Sequence, residues 1–214
     1  PFGRTPDTRP SGSDPLDTIR SFADSARAAN VDEFAITEHI YHFTAAREIV
    51  EQPWSVDKCF YDMDTYVDLL QRAQKEGLPV KVGIEMDFVE GKEAIIERVV
   101  KGYPFDFVLG SVHWIGDWGF DLSEHKHEWD TRRVDDAYRD YFRLLSQAVK
   151  TGFFDSMSHP DLIKVMGHLP EMDMAGLYEE LADIVASQPG LCVEISSAGL
   201  RKPVGRLYPE QPLM

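Results

Sequence analysis

The apolar pattern of this chain switches repeatedly between a period of two and a period near 3.6. That alternation restricts the fold more than any single residue does. Val80, Val82, Ile84, Met86 and Phe88 share one face of an extended segment, and Lys81, Gly83, Glu85 and Asp87 share the other, as in a strand. Leu16, Ile19, Ala23 and Ala26 recur at helical spacing behind Asp14–Pro15, an N-cap followed by proline at the first helical position. Tyr66, Leu69, Leu70 and Ala73 make a second helical face, and Ile95, Ile96, Val99 and Val100 a third. A long amphipathic face runs from Val134 through Tyr141 to Val149, and a last helix, capped by Asp173, carries Leu177, Leu181, Ile184 and Val185. Between the helices, Glu33–Thr37, Val80–Phe88, Phe105–His113, Phe153–His159 and Leu191–Ser197 read as strands. This order predicts an α/β fold of parallel strands joined by helical crossovers, forming an open sheet or part of a barrel. The Pro-, Gly- and Ser-rich opening, Pro1–Ser13, reads as irregular. No repeat or linker divides the 214 residues, so a single domain over 1–214 is expected.

Charge narrows the partners. Lys and Arg number 22 against 37 Asp and Glu, a formal net charge of −15, which disfavours nucleic acid but leaves room for a local pocket for a small anion. Cys59 and Cys192 match no metal-finger or redox spacing and are expected to be free thiols in a reducing compartment. No apolar run approaches the ~18 residues of a membrane span, and no signal peptide is visible, so a cytoplasmic location and no membrane partner are expected.

Four strand candidates end on, or close to, a residue able to bind a metal: ITEH at Ile36–His39, VGIE at Val82–Glu85, VLGSVHW at Val108–Trp114 and MSHP at Met157–Pro160. Parallel α/β folds gather their active sites at the carboxyl ends of the strands. His39, Glu85, His113 and His159 are therefore candidate ligands for zinc, iron or manganese. Each histidine alone is more readily a hydrogen-bonded core or surface residue than a ligand, but a carboxylate in an apolar strand is costly unless paired or metal-bound. His42, three residues after His39, either lines a pocket mouth or packs. His125 and His127, in SEHKHEWD, read as solvated, and Trp114 and Trp118 as packing residues. The last strand leads into SSAGLRKPVGR at Ser196–Arg206, whose Arg201, Lys202 and Arg206 suggest phosphate recognition in an otherwise acidic chain. Glu194, just before it, is either a support for the site or a paired buried acid.

With these residues the chain resembles the PHP (polymerase and histidinol phosphatase) superfamily, most closely its histidinol-phosphatase branch. The matching motifs are TEH at Thr37–His39, GIE at Gly83–Glu85, GSVHW at Gly110–Trp114, SHPDLIK at Ser158–Lys164 and SSAGLRKPVGRLYP at Ser196–Pro209. The resemblance implies a distorted, TIM-like (β/α)7 barrel with up to three divalent transition metals (zinc, iron or manganese) at its mouth. It implies Glu85 as bridging carboxylate, His113 and His159 as further ligands of one metal and His39 as ligand of another. The implied reaction is hydrolysis of L-histidinol phosphate, a small phosphorylated substrate, in histidine biosynthesis. A metal-activated hydroxide would be the nucleophile, and Arg201 would stabilise the developing charge.

The chain departs from the family at both ends. An H-x-H strand normally opens the fold and a D-x-H segment closes it. Neither is present; His125 and His127 have the spacing but not the position. Glu38 stands where the motif has aspartate. The first and last barrel strands are thus expected to be missing, and the 214 residues alone to be weakly active or inactive. Two alternatives remain: a PHP phosphoesterase acting on another small phosphate ester or nucleotide, and a degenerate, non-catalytic PHP module. A metal-dependent amidohydrolase is a third, with no evident use for Arg201 and Lys202.

Overall fold

Helices form where the apolar faces predict them in a computed structural model that describes residues 14–213; the irregular opening expected for residues 1–13 lies outside the described residues. In α1 (Pro15–Ala28), Asp14 accepts the Leu16 N–H at 3.0 Å, and Leu16, Ile19 and Ala23 are buried. Asn30 closes the turn after α1 with φ 55°, a conformation asparagine adopts more readily than most residues. β1 (Phe34–His39) is followed by short 3-10 turns and the single-turn helix α2 (Pro53–Val56). Asp62 caps α3 (Met63–Lys75) by accepting the Thr65 N–H at 2.8 Å. β2 (Val80–Asp87), α4 (Glu93–Gly102) and β3 (Phe107–Ser111) come next. A small hairpin of β4 (Trp114–Ile115) and β5 (Trp118–Gly119) interrupts the alternation. It turns through Gly116, whose φ of 62° suits a tight two-residue connection. α5 (Val134–Thr151), β6 (Ser156–Met157), α6 (Ala175–Ala186) and β7 (Cys192–Val193) complete the order.

The predicted α/β fold with a parallel sheet is present. Five strands lie in the order β1-β2-β3-β6-β7, and β1 pairs with β2 in parallel from Phe34↔Val80 to His39↔Glu85. β3 pairs in parallel with β6, and β6 with β7. The last two strands are shorter than the apolar runs suggest. Ser156–Met157 and Cys192–Val193 alone are strand, and two residues past β6 His159 turns into the left-handed region at φ 25°.

Contacts divide the chain into two compact units, one running to Glu85 together with Arg98–Val108, the other comprising Met86–Glu97 and Leu109 onward. In the first, Leu16, Ile19, Ile40, Phe43, Leu70, Val82 and Ile84 are buried. In the second, Trp118 meets Trp129 edge to face at 4.7 Å and Phe120 meets Tyr141 at 5.4 Å. The packing expected of Trp114 and Trp118 is thus present, with both side chains buried. His125 departs from the solvated role expected of it: its Nδ1 accepts the Gly119 N–H at 3.1 Å and pins the hairpin. His127 is exposed. Among the described residues, no helix is long and apolar enough to cross a membrane.

Candidate metal centre

In the first unit, the β1–β2 register places His39 directly opposite Glu85. Neighbours in a parallel register point to the same side of the sheet, and His39 Nδ1 lies 3.5 Å from Glu85 Oε2. Glu85 is buried and His39 half-buried. The strands come this close because position 83 is glycine: a Cβ there would sit 2.8 Å from both the Ile36 carbonyl oxygen and Thr37 Cγ2. The Tyr66 hydroxyl, reaching from α3, lies 2.8 Å from the carbonyl oxygens of Ile36 and Gly83 and straps the pair from behind. Glu38 faces the other way. It accepts the His39 N–H at 3.2 Å and stands 3.8 Å from His42 Nε2. Burial, partly offset by Glu38, pushes the His42 pKa below its ordinary value. The His42 ring packs among Tyr41, Phe60 and Tyr61, which is the packing alternative.

In the second unit, His113 follows β3 and is buried. Its Nδ1 is in close contact with Asp87 Oδ1, and the Ser111 hydroxyl stands 3.2 Å from that oxygen and 3.3 Å from the ring nitrogen. Asp87 Oδ2 is buried and has no hydrogen-bond partner among the described residues. With Nδ1 donating to a carboxylate, the His113 lone pair resides on Nε2, the arrangement of a carboxylate-oriented metal ligand. His159 follows β6, with its ring 5.2 Å from that of His113. Its φ of 25° is strained for a side chain with a Cβ. Two partners hold it there: Glu194 Oε2 accepts the His159 N–H at 2.9 Å, and the Tyr141 hydroxyl donates to the His159 carbonyl oxygen at 3.2 Å. Glu194 also accepts from the Ser158 hydroxyl at 3.2 Å, so it supports the histidine.

Sequence reasoning overlooked Asp87 and Tyr141. Asp87 left one trace, its position two residues after Glu85 on the same polar face of β2. Tyr141 looked like any apolar-face aromatic, and nothing local marked it.

The candidate cation loop closes on itself. Ser196 and Tyr208 exchange backbone hydrogen bonds of 2.7 and 3.0 Å, and a Cβ at Gly199 would lie 2.1 Å from the Arg206 carbonyl oxygen, so only glycine fits there. Arg201 and Lys202 are exposed on the loop. Arg206, the third cation expected to meet phosphate, is held by Glu210 at 3.0 Å instead. The Tyr208 ring stands edge-on to His159 at 6.3 Å, and burial pushes its phenol pKa up to about 12.

Imidazoles and carboxylates of this kind suit zinc, iron or manganese. The buried, oriented His113–Asp87 pair and the bare Asp87 oxygen fit a divalent ion better than a plain hydrogen-bonded core.

Comparison with known proteins agrees on the fold. The PHP domain family matches residues 8–198. A probable histidinol-phosphatase of Deinococcus radiodurans is 34% identical over 200 residues, covering 92% of this chain and 74% of that protein. The crystal structure of a putative histidinol phosphatase from Listeria monocytogenes superposes with a TM-score of 0.77 at 18% identity, over 91% of this chain and 82% of that one. The histidinol phosphate phosphatase of Lactococcus lactis, in complex with zinc, L-histidinol and phosphate, gives a TM-score of 0.61 at 22% identity, over 81% of this chain and 65% of that one.

Proposed function

The chain belongs to the PHP domain family, and from that premise we propose that it is a metal-dependent phosphoesterase hydrolysing L-histidinol phosphate to histidinol and phosphate. The substrate follows the 34%-identical relative named for that activity. The observation that carries the metal assignment is the donor set. In one unit His39 Nδ1 lies 3.5 Å from Glu85 Oε2, and in the other the buried His113 imidazole is backed by the Asp87 carboxylate.

Zinc, iron or manganese held there, in up to three positions, supplies a Lewis acid and lowers the pKa of water. Glu85 is the bridging carboxylate, His39, His113 and His159 are imidazole ligands, and Asp87 and Glu194 hold two of them in orientation. Arg201 and Lys202 bind the phosphate oxygens and balance the charge that develops on them. The two units are parts of one PHP domain working in histidine biosynthesis. The free thiols Cys59 and Cys192 suit a cytoplasmic setting, and nucleic acid and membranes are not partners of so acidic a chain.

The test is elemental analysis of the purified protein combined with phosphate release from L-histidinol phosphate, set against a panel of nucleotides and sugar phosphates. Glu85→Gln is expected to remove bound metal and to lower turnover by about a hundredfold or more. Wild-type metal content and turnover in that variant would refute the assignment. A clear preference for another ester would refute the substrate.

A further inference from the structure

Lys164 is 2% exposed, in an acidic chain with ample surface for a lysine. An ammonium group in such a place is costly unless fully partnered, and an apolar side chain of equal volume would serve stability as well or better. Its partners therefore point to a role. Nζ contacts Asp161 Oδ2 at 2.6 Å, the Leu207 carbonyl oxygen at 2.7 Å and Glu210 Oε1 at 3.3 Å. Asp161, 1% exposed, also accepts the Glu210 N–H through Oδ2 at 2.8 Å. Apart from the bond between the two side chains, every one of these contacts reaches residues 207–210, where the cation loop ends. A further backbone bond ties the loop to the same segment, from the Val204 N–H to the Val165 carbonyl oxygen at 3.2 Å. The Tyr208 ring, 5.3 Å from Lys164 Nζ, stands edge-on to His159.

We propose that the buried Asp161–Lys164 pair is a positioning device for phosphate recognition, clamping the base of the Ser196–Tyr208 loop to the segment that carries His159. Exposed arginine and lysine side chains on an unanchored loop lose much conformational freedom on binding an anion. A clamp at the loop's base fixes the backbone under Arg201 and Lys202 beforehand, and fixes it relative to His159. Lys164 and Asp161 act through the loop cations and touch no substrate. The inference rests on the phosphatase reading given above.

The experiment is a double-mutant cycle on the full chain, pairing Asp161→Asn/Lys164→Met with Arg201→Ala. The charge-neutral pair replacement avoids stranding a buried charge. It is expected to raise KM for L-histidinol phosphate and the inhibition constant of inorganic phosphate by about tenfold each, with kcat and bound metal unchanged. In the Arg201→Ala background the same replacement is expected to change either constant by less than about twofold. Unchanged KM, or a full tenfold effect on top of Arg201→Ala, would overturn the clamp. Glu210→Gln is the milder variant should the pair replacement not fold. It keeps the backbone N–H to Asp161 and weakens the contacts of the Glu210 carboxylate to Lys164 and to Arg206, both at the loop's base, for an expected KM rise of about threefold; no rise overturns the proposal. Arg201→Ala with unchanged KM and phosphate inhibition would refute the loop's role in substrate binding, and the clamp with it. Failure of that reading is thereby told apart from failure of the clamp alone.

Discussion

Asp87 is the side chain on which the proposed ligand role of His113 depends most. The contact to its Oδ1 assigns the His113 proton to Nδ1, and the Ser111 hydroxyl holds the same oxygen. Asp87→Asn keeps the shape and a hydrogen-bond acceptor but removes the charge that raises imidazole basicity. Metal affinity is expected to fall by about 10–100-fold, measured by competition with a chromogenic chelator, while the far-ultraviolet circular dichroism stays as in the wild type. Equal affinity in both proteins would show that His113 needs no carboxylate behind it.

Among the elements, α5 bears on the site from two directions. Its buried face carries Tyr141 to the His159 carbonyl oxygen. Its exposed face reaches the turn that follows β2, where Arg143 donates to Glu90 at 2.6 Å and Gln147 at 3.0 Å. The hydrogen bond from Arg143, then that from Gln147, holds the Glu90 pKa below its ordinary value. A depressed carboxylate pKa stabilises the fold above the ordinary value and loses that contribution as pH falls through the folded-state value. The pair is largely exposed, so its contribution is about 0.5 kcal/mol. Glu90→Gln is therefore expected to lower the melting temperature by about 1–2 °C near pH 7 and by nothing measurable once the pH is well below 4. Thermal melts between pH 3 and 7 decide it; a difference that persists in acid would place the stabilisation elsewhere.

For the molecule as a whole, the expected metal makes stability conditional. A ligand that binds only the folded protein stabilises it by about 2.7 kcal/mol at a hundredfold excess over Kd. For a chain of this size that corresponds to about 5–10 °C in melting temperature. Chelation is expected to lower the melting point by that amount and to abolish phosphate release, and adding back zinc or manganese to restore both. The Glu85→Gln protein is expected to melt at the chelated value with or without added metal. A wild-type melting point indifferent to chelation would mean that no ion contributes to the native state.

Local chemistry determined much of this protein. Apolar spacing set the buried faces of α1, α3 and α5, while Asp14 marked the start of α1. The alternation of helix and strand implied parallel pairing, which implied that His39, Glu85, His113 and His159 stand at strand ends. These features were legible because a period or a cap involves residues within a few positions of one another. Tertiary structure decided the choice of partner. Asp87 meets His113 across 26 residues and Glu194 meets His159 across 35. Arg206 is taken by Glu210, and Lys164 is buried under the loop end. The β4–β5 hairpin and the two-residue lengths of β6 and β7 also escaped the pattern, since strand limits follow from which neighbour offers its backbone. Such choices depend on register, close approach and burial, which arise only when distant segments pack, and a linear sequence carries them as residue identities without the pairing.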